Sequence, residues 1–254
     1  MDYKNFILDI EDSIAVVQIN RPEALNALSR DMVLELEQVF ITLEADDAVR
    51  VVILTGGKHF AAGADIKGML DSNPEQARAF SFRHVFNRIE AFPKPLIGVV
   101  SGFALGGGME LALVCDLRIA DNTAKFGLPE INLGIFPGAG GTIRLPRLIG
   151  VGRAKEMIFS GMPINAEQAL QYGLINKIVD NPLEEAKNTA RMLASKPPVA
   201  LKHAKQCINM AFDTDAQKAI EFESIAFSVC FATSDQYEGM KAFTEKRKPN
   251  FMGK

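Results

Sequence analysis

Apolar residues fall along this chain in two alternating rhythms. Residues 13–19, Ser-Ile-Ala-Val-Val-Gln-Ile, are rich in β-branched side chains and predict a strand. Ser29 suits a helix N-cap, and behind it Met32, Leu36, Val39, Phe40 and Leu43 recur at helical spacing. Residues 50–55 form an apolar run that predicts a buried strand, ended by Gly56-Gly57. The alternation then repeats. Phe82, Val85, Phe86 and Ile89 predict a helix, residues 95–100 a buried strand, 109–114 a short apolar helix, and 116–120 a further strand. Strand and helix alternate over about 13–45, 50–90 and 95–120, without sequence self-similarity strong enough to name a repeat. Such alternation predicts an α/β architecture with parallel pairing.

The last third changes character. Residues 175–179 read as a final short strand, Asn181-Pro182 opens a helix, and Lys196-Pro197-Pro198 breaks the chain and opens the next. This divides the chain into a core over 1–195 and a helical C-terminal region over 196–254. Residues 216–231 carry Ile220, Phe222, Ile225, Phe227, Val229 and Phe231, apolar nearly all round. That pattern predicts burial on more than one side, against the core or another subunit, or by ordinary packing within one chain.

Composition narrows the function. The 254 residues carry a net charge of -3, with 48% hydrophobic and 23% charged residues, as in a globular soluble protein without the basic footprint of a nucleic-acid binder. The start of the chain lacks the basic-then-apolar order of a signal peptide, and no apolar run is long enough to span a membrane. Cys115, Cys207 and Cys230 are far apart and odd in number, and His59, His84 and His203 are scattered. Neither a disulfide framework nor a metal site is expected, and a reducing cytoplasm fits.

Three glycine-bearing segments draw attention. Residues 60–67, Phe-Ala-Ala-Gly-Ala-Asp-Ile-Lys, have small side chains that allow close backbone approach to a ligand; the alternative is a tight loop with Asp65 capping a short helix. Residues 101–110 place Gly106, Gly107 and Gly108 at a strand-to-helix turn, where free N–H groups could meet an anion or developing negative charge. Close helix–sheet packing would need the same glycines, and the spacing matches neither a P-loop nor a dinucleotide fingerprint. Residues 126–142 are dense in glycine and proline and predict a shaped loop.

Two acids sit beside these segments. Glu110 lies in an otherwise apolar run, and Glu130 follows Pro129. Either could be an ordinary first-turn glutamate complementing a helix dipole. Together, beside loops able to supply oxyanion donors, they can serve acid–base chemistry at a carbonyl compound. Apolar burial or a second nearby carboxylate would keep one of them protonated at neutral pH.

The ordered motifs resemble the crotonase (enoyl-CoA hydratase/isomerase) family over nearly the whole chain. They are residues 20–28 (Asn-Arg-Pro-Glu-Ala-Leu-Asn-Ala-Leu), 62–67, 106–110, 126–130, 137–142, and 238–240 with 243–248. The resemblance implies a spiral of ββα units with a C-terminal helical region used for assembly as a homotrimer or a homohexamer. It implies an oxyanion hole from the N–H groups of Ala64 and Gly107. Glu110 would activate water, Glu130 would supply the α-proton, and Gly138 would help place the water. Coenzyme A, part of the substrate rather than a cofactor, would lie along Ala24, Leu25, Ala62, Ala64, Asp65 and Ile66. Lys67, Phe243 and Lys246 would reach its nucleotide end, the last two from a neighbouring subunit. Retention of both glutamates favours hydration of a trans-2-enoyl-CoA to the 3-hydroxyacyl-CoA. The alternatives are a Δ3,Δ2-enoyl-CoA isomerase, which needs one carboxylate, and a non-catalytic acyl-CoA- or RNA-binding protein on the same fold.

Overall fold

The computed structural model describes residues 3–66, 69–79 and 82–254. Its main sheet has six strands: β1 (Phe6–Glu11), β2 (Ile14–Ile19), β3 (Val51–Thr55), β4 (Leu96–Val100), β6 (Leu117–Ala120) and β9 (Lys177–Ile178). They lie in that order, β1 antiparallel to β2 and every later pair parallel. A smaller sheet joins β5 (Phe103–Leu105), β7 (Lys125–Gly127) and β8 (Ile164–Asn165).

The apolar runs of β3 and β4 follow from cover on both faces. Val52, Leu54, Leu96 and Val100 join the large core with α1 (Arg30–Ala45) and α3 (Phe82–Glu90). Val51, Ile53, Ile97 and Val99 join a second core under Ala186 and Ala190 of α8 (Pro182–Ala194). A strand buried on both faces loses the polar alternation of a half-exposed one. Ser29 caps α1 by accepting from the Met32 N–H at 3.3 Å, and all five predicted apolar positions of α1 are buried.

The two sheets grow together. β3 leads to Ala61, which bridges Ala104 of β5; β4 leads directly to β5; β6 leads to β7, which pairs parallel with β5. Each turn of chain therefore adds a strand to each sheet before a helix returns it. This is the spiral of ββα units, and it brings residues 61–64, 105–107 and 127–130 to one place.

The C-terminal helices are α9 (Pro198–Met210), α10 (Ala216–Cys230) and α11 (Ser234–Thr244). Ordinary one-chain core packing of α10 is overturned: Ala226 is buried, whereas Ile220, Ile225, Phe227, Val229 and Phe231 are exposed. Among the described residues, too little of the chain packs over α10 to cover its apolar positions. Polar links tie the region to the sheet. Lys205 pairs with Asp116 at 2.9 Å, and Arg50 donates to the carbonyls of Ala194 and Phe251 at 3.0 and 2.8 Å. Beyond α11, exposed Arg247 forks onto Glu238 with both contacts at 2.7 Å.

Candidate active site

Glycine geometry builds the site. β5 is followed by Gly106, whose φ of 50° is costly for a side-chain-bearing residue, and α4 (Gly107–Leu113) begins at once, two residues earlier than the predicted apolar helix. The Glu110 N–H donates to the Gly106 carbonyl at 2.9 Å, which seats Glu110 in the first turn. A Cβ on Gly108 would lie 2.1 Å from the Ala61 carbonyl oxygen, so the helix can approach this strand only with glycine there. The next residues, Gly63 and Ala64, are held by Leu28: its N–H donates to Gly63 at 2.7 Å, and its carbonyl accepts from Asp65 at 2.8 Å.

These contacts leave two donors free. Among the described residues, neither the Ala64 nor the Gly107 N–H has an acceptor. A Cβ on Gly107 would stand 3.6 Å from the Ala64 nitrogen, so the two segments touch. Glu130, in the turn Pro129–Leu133, brings its Oε1 to 3.2 Å from the corresponding position on Gly106. The sequence-predicted oxyanion donors and Glu130 thus share one small volume.

Glu110 is 3% exposed. Its Oε1 accepts from the N–H groups of Ala139 and Gly141, both at 2.8 Å. Burial pushes its pKa up, opposed by those two donors and by the Arg144 guanidinium. Glu130 is placed differently. Its Oε2 is buried with no hydrogen-bond partner among the described residues, and burial, with help from the Glu110 charge, raises its pKa to about 7. Glu110 thus has two amides and a guanidinium that favour its ionised form, whereas Glu130 has only its own backbone N–H against burial and a neighbouring charge, an environment that splits acid and base roles. Gly138 is exposed between buried Pro137 and Ala139, on the loop that holds Glu110.

The expected coenzyme A residues divide. Leu25 accepts from the Ala62 N–H at 3.0 Å, which joins the Ala24–Leu25 turn to the Ala62–Ile66 segment. Leu25 and Ile66 are exposed apolar side chains on this ridge, while Ala24, Ala62 and Ala64 are half-buried. Asp65 pairs with Arg21 at 3.1 Å; the amides it was expected to cap, at 67 and 68, lie outside the described residues, as does Lys67 itself. Phe243, 85% exposed, and exposed Lys246 lie at the end of α11, and no hydrogen bond or ion pair joins them to this ridge among the described residues.

Sequence reasoning missed three contributors. The Ala139 and Gly141 amides are main-chain donors, invisible to any residue-type signal. Asn26 is the third. It is buried, with φ of 60°, and its side chain donates to the carbonyls of Gly56 and His59 at 2.9 and 2.6 Å. That staples the Arg21–Ala27 loop to the end of β3. Among the described residues no cluster of three His, Cys, Asp or Glu side chains could hold a metal, and no helix is long and apolar enough to cross a membrane.

Residues 9–254 match the family described as enoyl-CoA hydratase/isomerase. The chain belongs to that family. It is 48% identical to a crotonyl-CoA hydratase of Syntrophomonas wolfei, each chain covered over 100% of its length. It is 49% identical to a short-chain-enoyl-CoA hydratase of Clostridium acetobutylicum, with 98% of this chain and 97% of the relative covered. The crystal structure of an enoyl-CoA hydratase from Bacillus anthracis superposes with a TM-score of 0.94 at 40% identity, over 99% of this chain and 100% of that one. As a member of the enoyl-CoA hydratase/isomerase family, the chain has the crotonase fold traced above through its strand pairings.

Proposed function

We propose that this protein hydrates 2-enoyl-CoA thioesters, with Glu110 and Glu130 as the working pair and Ala64 and Gly107 as the oxyanion donors. The observation that carries the reading is the convergence of two differently tuned carboxylates on two amides that have no acceptor among the described residues. Glu110, ionised, takes a proton from water as the oxygen adds to the β-carbon. The electron pair of the double bond moves to the thioester oxygen, where the Ala64 and Gly107 N–H groups stabilise the enolate, at several kcal/mol for the first such donor in known sites. The enolate collapses as Glu130 delivers its proton to the α-carbon. Water has then been added: Glu110 holds the proton taken from it and Glu130 has lost its own, so the pair keeps its net charge and resets when that proton passes from Glu110 back to Glu130. The two acids interact, so their titration belongs to the pair. Gly138 helps hold the water beside Glu110.

An isomerase would shuttle one proton with one carboxylate and use no water. Glu110, buried and fixed by two backbone donors, has no task in that reaction, which favours hydration. The names of the relatives from Syntrophomonas and Clostridium support short acyl chains. The Ala24–Leu25 turn and the Ala62–Ile66 segment would carry coenzyme A. Lys67, Phe243 and Lys246 would meet its nucleotide end, the last two in a trimer or dimer of trimers formed through the exposed face of α10. Its three unpaired cysteines suit a reducing cytoplasm. The test is an assay with crotonyl-CoA and longer or branched enoyl-CoA esters, reading loss of the conjugated thioester. Rapid formation of 3-hydroxybutyryl-CoA is expected; isomerisation of a 3-enoyl-CoA without hydration would favour the isomerase.

A further inference from the structure

Arg144 is a buried cation that the reaction above does not use. It lies in α5 (Gly141–Ile149) and is 7% exposed. Its guanidinium is nearly saturated. Nε and Nη2 donate to the two oxygens of Glu90 at 2.9 and 2.7 Å, Nη2 also donates to Asn87 Oδ1 at 2.7 Å, and Nη1 donates to the Ala139 carbonyl at 2.9 Å. Both partner side chains come from α3. A charge this deep is costly to desolvate, and a bidentate carboxylate is the partner that best offsets that cost. Gly140 leaves room for it, since a Cβ there would fall 1.9 Å from Nη1.

The Ala139 residue is consequently held at both ends. Its carbonyl accepts from Arg144, and its N–H donates to Glu110 Oε1, as does the N–H of Gly141. We propose that Arg144, braced by Glu90, is a positioning residue for Glu110: it fixes residues 139–141 so that two amides grip one carboxylate oxygen and leave the other turned to the water. This rests on Glu110 being the group that activates water. The charged groups around Glu110 are Arg144 of α5 and Glu130 of the neighbouring turn, with Glu90 of α3 one contact further out. Arg144 favours the ionised form of Glu110, and by Coulomb's law the carboxylate paired with that guanidinium acts in the opposite sense.

The experiment compares Arg144→Met, Arg144→Lys and Glu90→Gln with wild type and Glu110→Gln, using crotonyl-CoA. It measures kcat, KM, the pH profile of kcat/KM and thermal melting. Arg144→Met is expected to lower kcat by about 10–100-fold, with KM changed less than about threefold, because a reacting group is misplaced while substrate binding is intact. Its acid limb should move to higher pH, since Glu110 loses its stabilising charge. Glu90→Gln should move that limb to lower pH. Arg144→Lys should keep the limb in place yet lose kcat, because one ammonium cannot reproduce the fork. A merely structural role would lower activity and melting temperature together without opposite shifts of the limb. Folded Arg144→Met with kcat within about twofold of wild type and an unmoved limb would overturn the proposal. If that variant does not fold, an unmoved limb in Glu90→Gln overturns it instead. Activity surviving in Glu110→Gln would sink the underlying reading; a dead Glu110→Gln beside unaffected Arg144 and Glu90 variants sinks this inference alone.

Discussion

Two residues of one type behave differently here because their surroundings differ. Glu110 has lost water but gained two N–H donors and a nearby guanidinium; Glu130 has lost water and faces an anion, with one oxygen unpartnered among the described residues. Raising the Glu130 pKa from 4.5 to about 7 means that the folded state holds a proton that the unfolded state releases across that window. Stability therefore falls as pH rises from the lower value to the higher, then levels. Glutamine carries no such proton, so Glu130→Gln should raise the melting temperature more at pH 8 than at pH 5. Equal shifts at both pH values would show that Glu130 titrates normally. At this scale both glutamates were legible, one from its apolar run and both from their glycine-rich neighbours. The grip on Glu110 was not, because amides of Ala139 and Gly141 look like any others until the chain folds. Arg144 reads in sequence as one cation in the Thr-Ile-Arg-Leu-Pro-Arg stretch, with nothing to mark it as buried.

Elements position these residues through close approach. The oxyanion segment and α4 meet because Gly108 has no side chain to strike the Ala61 carbonyl. Gly108→Ala should destabilise the protein by about 1–3 kcal/mol, as overpacking does, and more if the backbone cannot yield. Urea denaturation would measure the loss, and an unchanged midpoint would mean that the approach is looser than 2.1 Å implies. The long elements were readable. α1 and α3 show helical spacing, and β3 and β4 show the continuous apolar runs of strands covered on both faces. The small sheet was not readable from pattern, since β5, β7 and β8 have two or three residues each, too few for a period of two to emerge. Pairing of β5 with β7, distant in sequence, is what turns the visible strand–helix alternation into a spiral.

The whole molecule leaves a surface that one chain does not cover. Ile220, Ile225, Phe227 and Phe231 stand out from α10. The end of the chain is folded back nearby: Asp235, buried at the start of α11, accepts from the N–H groups of Met252 and Gly253 at 2.7 and 2.8 Å. An ordered apolar face of this kind suits a permanent subunit contact. Light scattering should give a mass that is a multiple of the single chain, and Phe227→Asp should shift it towards the monomer. A monomeric wild type would contradict this. The apolar pattern of 216–231 was legible in the sequence, but whether it was covered within the chain required the fold. The fold in turn brings Glu110 and Glu130 together from opposite ends of the β5–β7 turn of the spiral. Hydration of crotonyl-CoA by the wild type, Glu110→Gln and Glu130→Gln tests that arrangement most directly. The account predicts that each substitution lowers kcat by at least about 100-fold, the lower range for a lost general acid or base, while binding of the CoA ester persists. Near-wild-type hydration by either variant would contradict it.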